Sequence, residues 1–187
     1  MRRLLVAIAV SALAMVALAP SATGAAHKAS STFQLHIGVP NVSQAPNGDR
    51  VAVTGEGEFG VHAKTVEAEG SFTHTSSTGT VLVTGTWTAT ALLSFHFYGC
   101  GAVPALDLTL PPDFCGGALK MAVTLTPTGT TLGVPGILTV FCVIGPKAPT
   151  PHDNPAEPGE EGIHLVVPGI ANFNEIVSGM NVYIRTS

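Results

Sequence analysis

Two Glu-x-Glu pairs, Glu56-Gly57-Glu58 and Glu67-Ala68-Glu69, stand out in a chain of which only 11% is charged. Alternate residues of an extended strand share a face, so each pair presents two carboxylates on one side. A hairpin turning at Ala63-Lys64 would set Glu58 opposite Glu69 and Gly60 opposite Glu67, with all four glutamates facing outward. Like charges opposed across a sheet destabilise it, and an oxygen-only ligand set of this kind suits calcium. The competing reading leaves the four carboxylates splayed into water, where screening removes most of the repulsion. Calcium at Glu56, Glu58, Glu67 and Glu69 is thus the one cofactor the sequence suggests, and no other is expected.

The cysteines, Cys100, Cys115 and Cys142, are odd in number. In an exported protein one disulfide is the default, and the third thiol is left over. A Cys100–Cys115 bond would staple the proline-containing connection between them, and Cys100–Cys142 is the alternative. No cysteine and histidine stand at zinc spacing. His62, His74 and His96 form no pair at i, i+2 or i, i+4, so a histidine metal site has little support. Gly55, Gly57 and Gly60 are followed by no helix, which removes a phosphate-binding loop and leaves bulges or bends as their meaning. No Gly-x-Ser-x-Gly elbow or other local nucleophile signature is present.

The elements that would position these residues are strands. From Thr80 to Phe97, Val81, Val83, Gly85, Trp87, Ala89, Ala91, Leu93, Phe95 and Phe97 hold one parity, while threonines dominate the other. About eighteen residues at about 3.3 Å each exceed an ordinary strand, so this one must bend, with Gly85 the expected place. Its Thr-x-Thr spacing resembles the hydroxyl arrays of ice-binding proteins. A single dominant strand without a repeat period falls short of such an array, and the β-branched threonine already suits a wetted sheet face.

Similar alternation predicts strands from Phe33 to a stop at Pro40, from Arg50 to His62, from Thr65 to His74 and from Leu119 to Thr126. Others follow at Ile137 to Ile144, Gly162 to Val167 and Gly179 to Thr186. About eight mostly sequential antiparallel strands predict one all-β domain, an up-and-down barrel ahead of a two-sheet sandwich. Two long connections, 99–117 and 146–161, interrupt the meander. The second, rich in proline and glutamate, reads as a solvated extended loop.

Residues 1–26 have the layout of a secretory signal peptide: Arg2 and Arg3, an apolar run from Leu4 to Ala19, then small residues. Residues 27–187 are the expected domain, released outside the cell or into the periplasm with no membrane anchor. Without Arg2 and Arg3, six basic residues stand against 12 acidic ones. That balance disfavours nucleic acid and anionic lipid as partners. The sequence therefore points to a secreted module that binds a protein or a small apolar ligand through its loop end. The alternatives are a small cyclase or isomerase with His74, His96 or a glutamate as polar handle, and a structural surface protein.

Overall fold

The computed structural model describes residues 31–149 and 160–187. The predicted signal peptide and the middle of the second long connection, with Asp153 and Glu157, lie outside the described residues. The described chain is all β. It opens with β1 (Thr32–Gln44), β2 (Arg50–Gly60), β3 (Thr65–Thr75) and β4 (Val81–Cys100). A small hairpin, β5 (Ala102–Val103) and β6 (Leu108–Thr109), lies in the first long connection. Then come β7 (Phe114–Pro127), β8 (Val134–Cys142), β9 (Gly162–Val167), β10 (Ala171–Phe173), β11 (Glu175–Ser178) and β12 (Asn181–Arg185).

Strands β1 to β4 pair in sequence order, β4 pairs with β7, and β8, β9 and β10 follow outward from β7. The C-terminal β12 departs from a plain up-and-down order. It lies between β1 and the first residues of β7, pairing Tyr183 with Cys115 and Ile184 with Phe114. Strands β7, β12, β1, β2, β3 and β4 thereby return upon themselves as a ring of six.

The alternating residues face where their period requires. Val51, Val53 and Phe59 of β2, Ala68 and Phe72 of β3, and Leu119, Met121, Val123 and Leu125 of β7 are buried in one core with Leu35, Trp87 and Tyr183. Strand β8 lies between β7 and β9 and is buried on both faces, as its continuous apolar run predicts. Burying a large apolar side chain contributes about 1.5–3 kcal/mol, so this shared interior is the main source of stability.

The long strand departs from its simple parity. Gly85 stays in regular register opposite Phe72, while irregularities fall between Val81 and Val83 in the pairing with β3, and between Ala89 and Ala91, Leu92 and Ser94, and Phe97 and Gly99 in the pairing with β7. An extra residue at each point reverses which side chains point inward. The core therefore receives Ala89, Leu92 and Phe95, and Leu93, expected inside, is 48% exposed. Tyr98 turns to the outer face and is buried with Ala118 and Phe141. The bend of β4 comes from these bulges and not from Gly85.

Two other expectations change. Pro40 does not end β1, because it sits where the register with β2 jumps from Ile37 to Asn41 and no ladder donor is needed. The strand resumes through Gln44. Gly55, Gly57 and Gly60 make no bulge, since β2 pairs with β3 without interruption from Arg50 to Gly60. Gly55 lies opposite Gly70, and a Cβ on either would run into the Trp87 ring. The glycines clear a floor for the indole.

The strands leave two unlike ends. One carries the short turns 45–49, 76–80, 128–133 and 168–170; the other carries the 61–64 turn and both long connections. Inside the long-connection end, Phe33 packs with Phe59, Phe95 and Phe97, and Tyr183 stands edge-on to Phe59 and Phe95. The Arg185 guanidinium covers this plug, 5.9 Å from the Phe33 ring centre and 5.4 Å from that of Phe97.

Candidate functional site: an apolar cleft at the short-turn end

At the short-turn end the packing leaves a cleft of about 140 Å³. Val51, Phe72, Val83, Leu125 and Pro127 form one side, and Val134, Leu165, Val167, Ile170 and Phe173 the other. The single polar side chain in its lining is His74. Of the lining residues Ile170 is 68% exposed, and at the same end of the fold Val81 and Leu82 at the start of β4 are open to solvent.

Local sequence explains the walls. The lining residues of β2, β3, β4, β7 and β9 lie on the inward faces of their strands within a few positions of a turn. The turns themselves are short and rich in Gly, Ser, Thr and Pro, with Gly48, Gly79, Gly129 and Gly169 at positive φ. Apart from Ile170, which lines the cleft, and the exposed Leu132, these turns supply no large side chain that could fold back over the opening.

His74 is held by Asp49. Its Nε2 lies 3.3 Å from Asp49 Oδ2, and its ring stands edge-on to Phe173, with centres 5.3 Å apart. Asp49 also ties two turns together, accepting from the Ser77 N–H at 3.0 Å and from the Asn47 amide at 3.0 Å. Burial works to raise the Asp49 carboxyl, but the Asn47 amide, the Ser77 N–H and His74 together hold it below its ordinary value. A carboxylate that orients an imidazole at the rim of an apolar hole provides one polar contact in an otherwise dry site.

The four glutamates lie elsewhere. All are exposed on the outer face of β2 and β3, as predicted, but the register differs: Glu56 opposes Glu69 and Glu58 opposes Glu67. A four-residue turn over 61–64 replaces the expected two-residue turn, with Lys64 in the left-handed region at φ 53°, and this shifts every pair. Among the described residues no three His, Cys, Asp or Glu side chains converge on a point that could hold a metal ion. His62 is exposed in the same turn, and His96 is exposed with its ring near Tyr98. Neither lines the cleft.

Cys100 and Cys115 are disulfide-bonded and directly opposed on β4 and β7, closing the first long connection. Cys142 is the buried free thiol. It belongs to a polar cluster that sequence reasoning missed, at the seam where β9 meets β1, β11 and β12. Asn181 Nδ2 donates to Asn41 Oδ1 at 3.0 Å and to the Phe141 carbonyl at 2.9 Å, and the Ser43 hydroxyl donates to the Ile163 carbonyl.

Glu161, expected in a solvated loop, accepts instead from the backbone N–H groups of Val143 at 2.8 Å and Asn181 at 2.9 Å. Burial pushes its carboxyl up from the ordinary value, against those two N–H groups and the Cys142 thiol, which hold it down. Burial and the Glu161 charge push the Cys142 thiol well up. The signal for this cluster was present only as polar residues, Asn41 and Ser43, on the apolar parity of β1's second half. Its role is structural, because these groups satisfy backbone atoms where no strand ladder does.

No helix among the described residues is long and apolar enough to cross a membrane. No family model, curated protein or solved structure matches the chain.

Proposed function

We propose that this protein is a secreted all-β binding module whose cleft at the short-turn end holds a small apolar ligand. The observation that carries this reading is the apolar hole itself, open to solvent, with the exposed Ile170 in its lining and one polar side chain held by Asp49. Exposed apolar surface is costly to keep in a soluble chain and marks contact sites when it rims a concavity. A disulfide at the opposite end agrees with life in an oxidising compartment. The sequence suggested the long connections as the binding end, whereas the cleft lies at the other one.

A second reading, a small isomerase or cyclase, draws on the same His74–Asp49 pair, since a carboxylate-oriented imidazole is the usual form of a general base. The cleft lining offers it no second polar side chain to complement that base. Binding without turnover is therefore the reading adopted.

The test is a titration of methyl-labelled protein with small hydrocarbons, followed by NMR. Methyl resonances of Val83, Leu165, Val167 and Ile170 should move together and saturate. The Val167→Phe variant, which fills the hole, should abolish the response while leaving the remaining spectrum in place. Saturating hydrocarbon without movement of these methyls would refute the reading.

A further inference from the structure

Away from the cleft, strands β3 and β4 part toward the long-connection end. Strand β3 pairs with β2 along its whole length, from Thr65 to Thr75, but with β4 only from Glu69 onward. Thr65, Val66, Glu67 and Ala68 therefore have an edge that no strand among the described residues covers. The separation begins at a bulge, which falls between Ala89 and Ala91, directly after Thr88, the last β4 residue paired with β3.

We propose that this edge of β3 is a docking site for an extended peptide in which basic and apolar residues alternate, added to the sheet as a further strand. The backbone supplies the pairing. Successive residues of a strand aim their N–H and C=O groups at opposite edges, so two of the four uncovered residues present both groups to the opening. The opening is about 460 Å³, and Val66, Glu67, Ala68, Glu69, Thr88 and Ala89 are among the residues that line it.

The side chains select the guest. Val66, Ala68 and Ala89 lie on the core side of their strands, and Val66 and Ala89 are only half-buried. An added strand shares the pleat of β3, so alternate residues of the guest meet this apolar side and the others meet the outer face. On that outer face Glu56, Glu58, Glu67 and Glu69 are exposed, and the only ion pair among the described residues, His74–Asp49, uses none of them. Lysine or arginine on the outward parity of the guest supplies the missing cations. A second copy of this chain, joined edge to edge through β3, would instead bring Glu67 and Glu69 against their own counterparts, and like charges so opposed destabilise a sheet.

The experiment follows the amides of Thr65–Ala68 by NMR in the chain of residues 27–187, with acetyl-Lys-Val-Lys-Val-Lys-amide as the probe. In the free protein, the two amides that face the opening should exchange with solvent faster than the two that face β2. The peptide should shift these signals saturably and slow the fast pair. Of two N-methylated peptides, one blocked at its lysines and one at its valines, a single one should lose at least about tenfold in affinity, because only one parity donates to β3. The Glu67→Gln/Glu69→Gln variant should bind about fivefold more weakly, while Glu175→Gln, an exposed carboxylate on β11, should bind as the parent does. All four amides protected in the free protein would overturn the proposal, showing an edge already covered by the chain itself, or by a second copy if the protection depends on concentration. No saturable shift would overturn it, and so would equal effects of the two N-methylations, which would mean attraction without strand pairing. Undiminished binding to the double variant would overturn the choice of a basic guest. None of these residues lines the apolar cleft, so each outcome leaves the cleft reading to its own test.

Discussion

Gly70→Ala tests how the interior is assembled, because one methyl group at this position meets three obstacles. The added Cβ would press on the Thr54 carbonyl oxygen inside contact distance, and would lie 2.6 Å from Gly55 Cα and 2.7 Å from Trp87 Nε1. Two of these are backbone atoms of the paired strand and the third belongs to the indole, so relief requires both spreading β2 from β3 and displacing the indole. Spreading costs the usual penalty of an overpacked core, about 1–3 kcal/mol. Displacing the indole breaks the Trp87 Nε1 hydrogen bond to the Thr54 carbonyl, 2.9 Å long, and leaves a buried donor unpaired for a further 1–3 kcal/mol or so.

The expected loss is therefore about 4 kcal/mol, or about 8–16 °C in Tm for a domain of this size. Trp87 is the only tryptophan, so intrinsic fluorescence during urea unfolding reads both the stability and the indole environment. Gly38→Ala supplies the control, with nothing within 4 Å of the added Cβ, and should change stability by less than about 0.5 kcal/mol. A Gly70→Ala protein within about 1 kcal/mol of the parent, with an unshifted native emission maximum, would refute the glycine floor beneath Trp87.

Three further outcomes follow from the seam and the cysteines. Because burial raises the Glu161 carboxyl in the folded chain, the native state binds more protons than the unfolded state from about pH 4.3 upward, and the group's contribution to stability falls as pH rises through the folded value. Glu161→Gln removes this dependence but points an amide N–H₂ at one of the two backbone donors, costing about 1–3 kcal/mol. The stability gap between parent and variant, measured by urea unfolding, should thus be widest near pH 4 and narrow toward pH 7, and a gap that widens would reverse the reasoning. Replacing both Cys100 and Cys115 with Ser, across a separation of 15 residues, should cost about 3 kcal/mol. In the parent protein, iodoacetamide should label Cys142 only after unfolding, which intact-mass measurement will show.

Legibility in the sequence followed the regularity of the ladders. In β2, β3, β7 and β4 from Val83 to Ala89 the period of two gave the buried face correctly, since the pairing there is continuous; Val81, beyond the register shift beside Thr75, is exposed. It failed at Leu92 and Leu93, where bulges exchange the faces of two adjacent leucines that composition cannot tell apart. Pro40 reads locally as a terminator and becomes tolerable only because the partner strand is out of register beside it. The glutamate pairing slipped because turn length, not the strands, sets the register, and Val61-His62-Ala63-Lys64 carries no two-residue turn signal. The cleft was half visible. His74 was on the inward parity, but its partner Asp49 stands 25 residues away and meets it only when two turns pack together. Glu161 was hidden by its neighbours, whose prolines and glutamates describe a solvated loop, while its burial depends on N–H groups of Val143 and Asn181, 18 and 20 residues distant.

The position of the cleft follows from how the sheet closes. Strand β7 pairs with β12 only at Phe114 and Cys115, then gives that same edge to β8 from Gly117 onward. The ring is therefore tightest at the long-connection end, where the aromatic plug, Arg185 and the disulfide gather. Toward the short-turn end, β8, β9 and β10 lead away from the ring, and their inward residues must meet β2 and β3 without a ladder to set the spacing. Along the seam, Asn41, Ser43 and Asn181 bridge that interval with side-chain hydrogen bonds. Beyond them the turns are too short to continue the bridge, so Val51 and Phe72 face Leu165 and Val167 across the cleft. One closed end and one splayed end make a rigid scaffold with a preformed apolar opening, the arrangement in which a small ligand binds without ordering any loop.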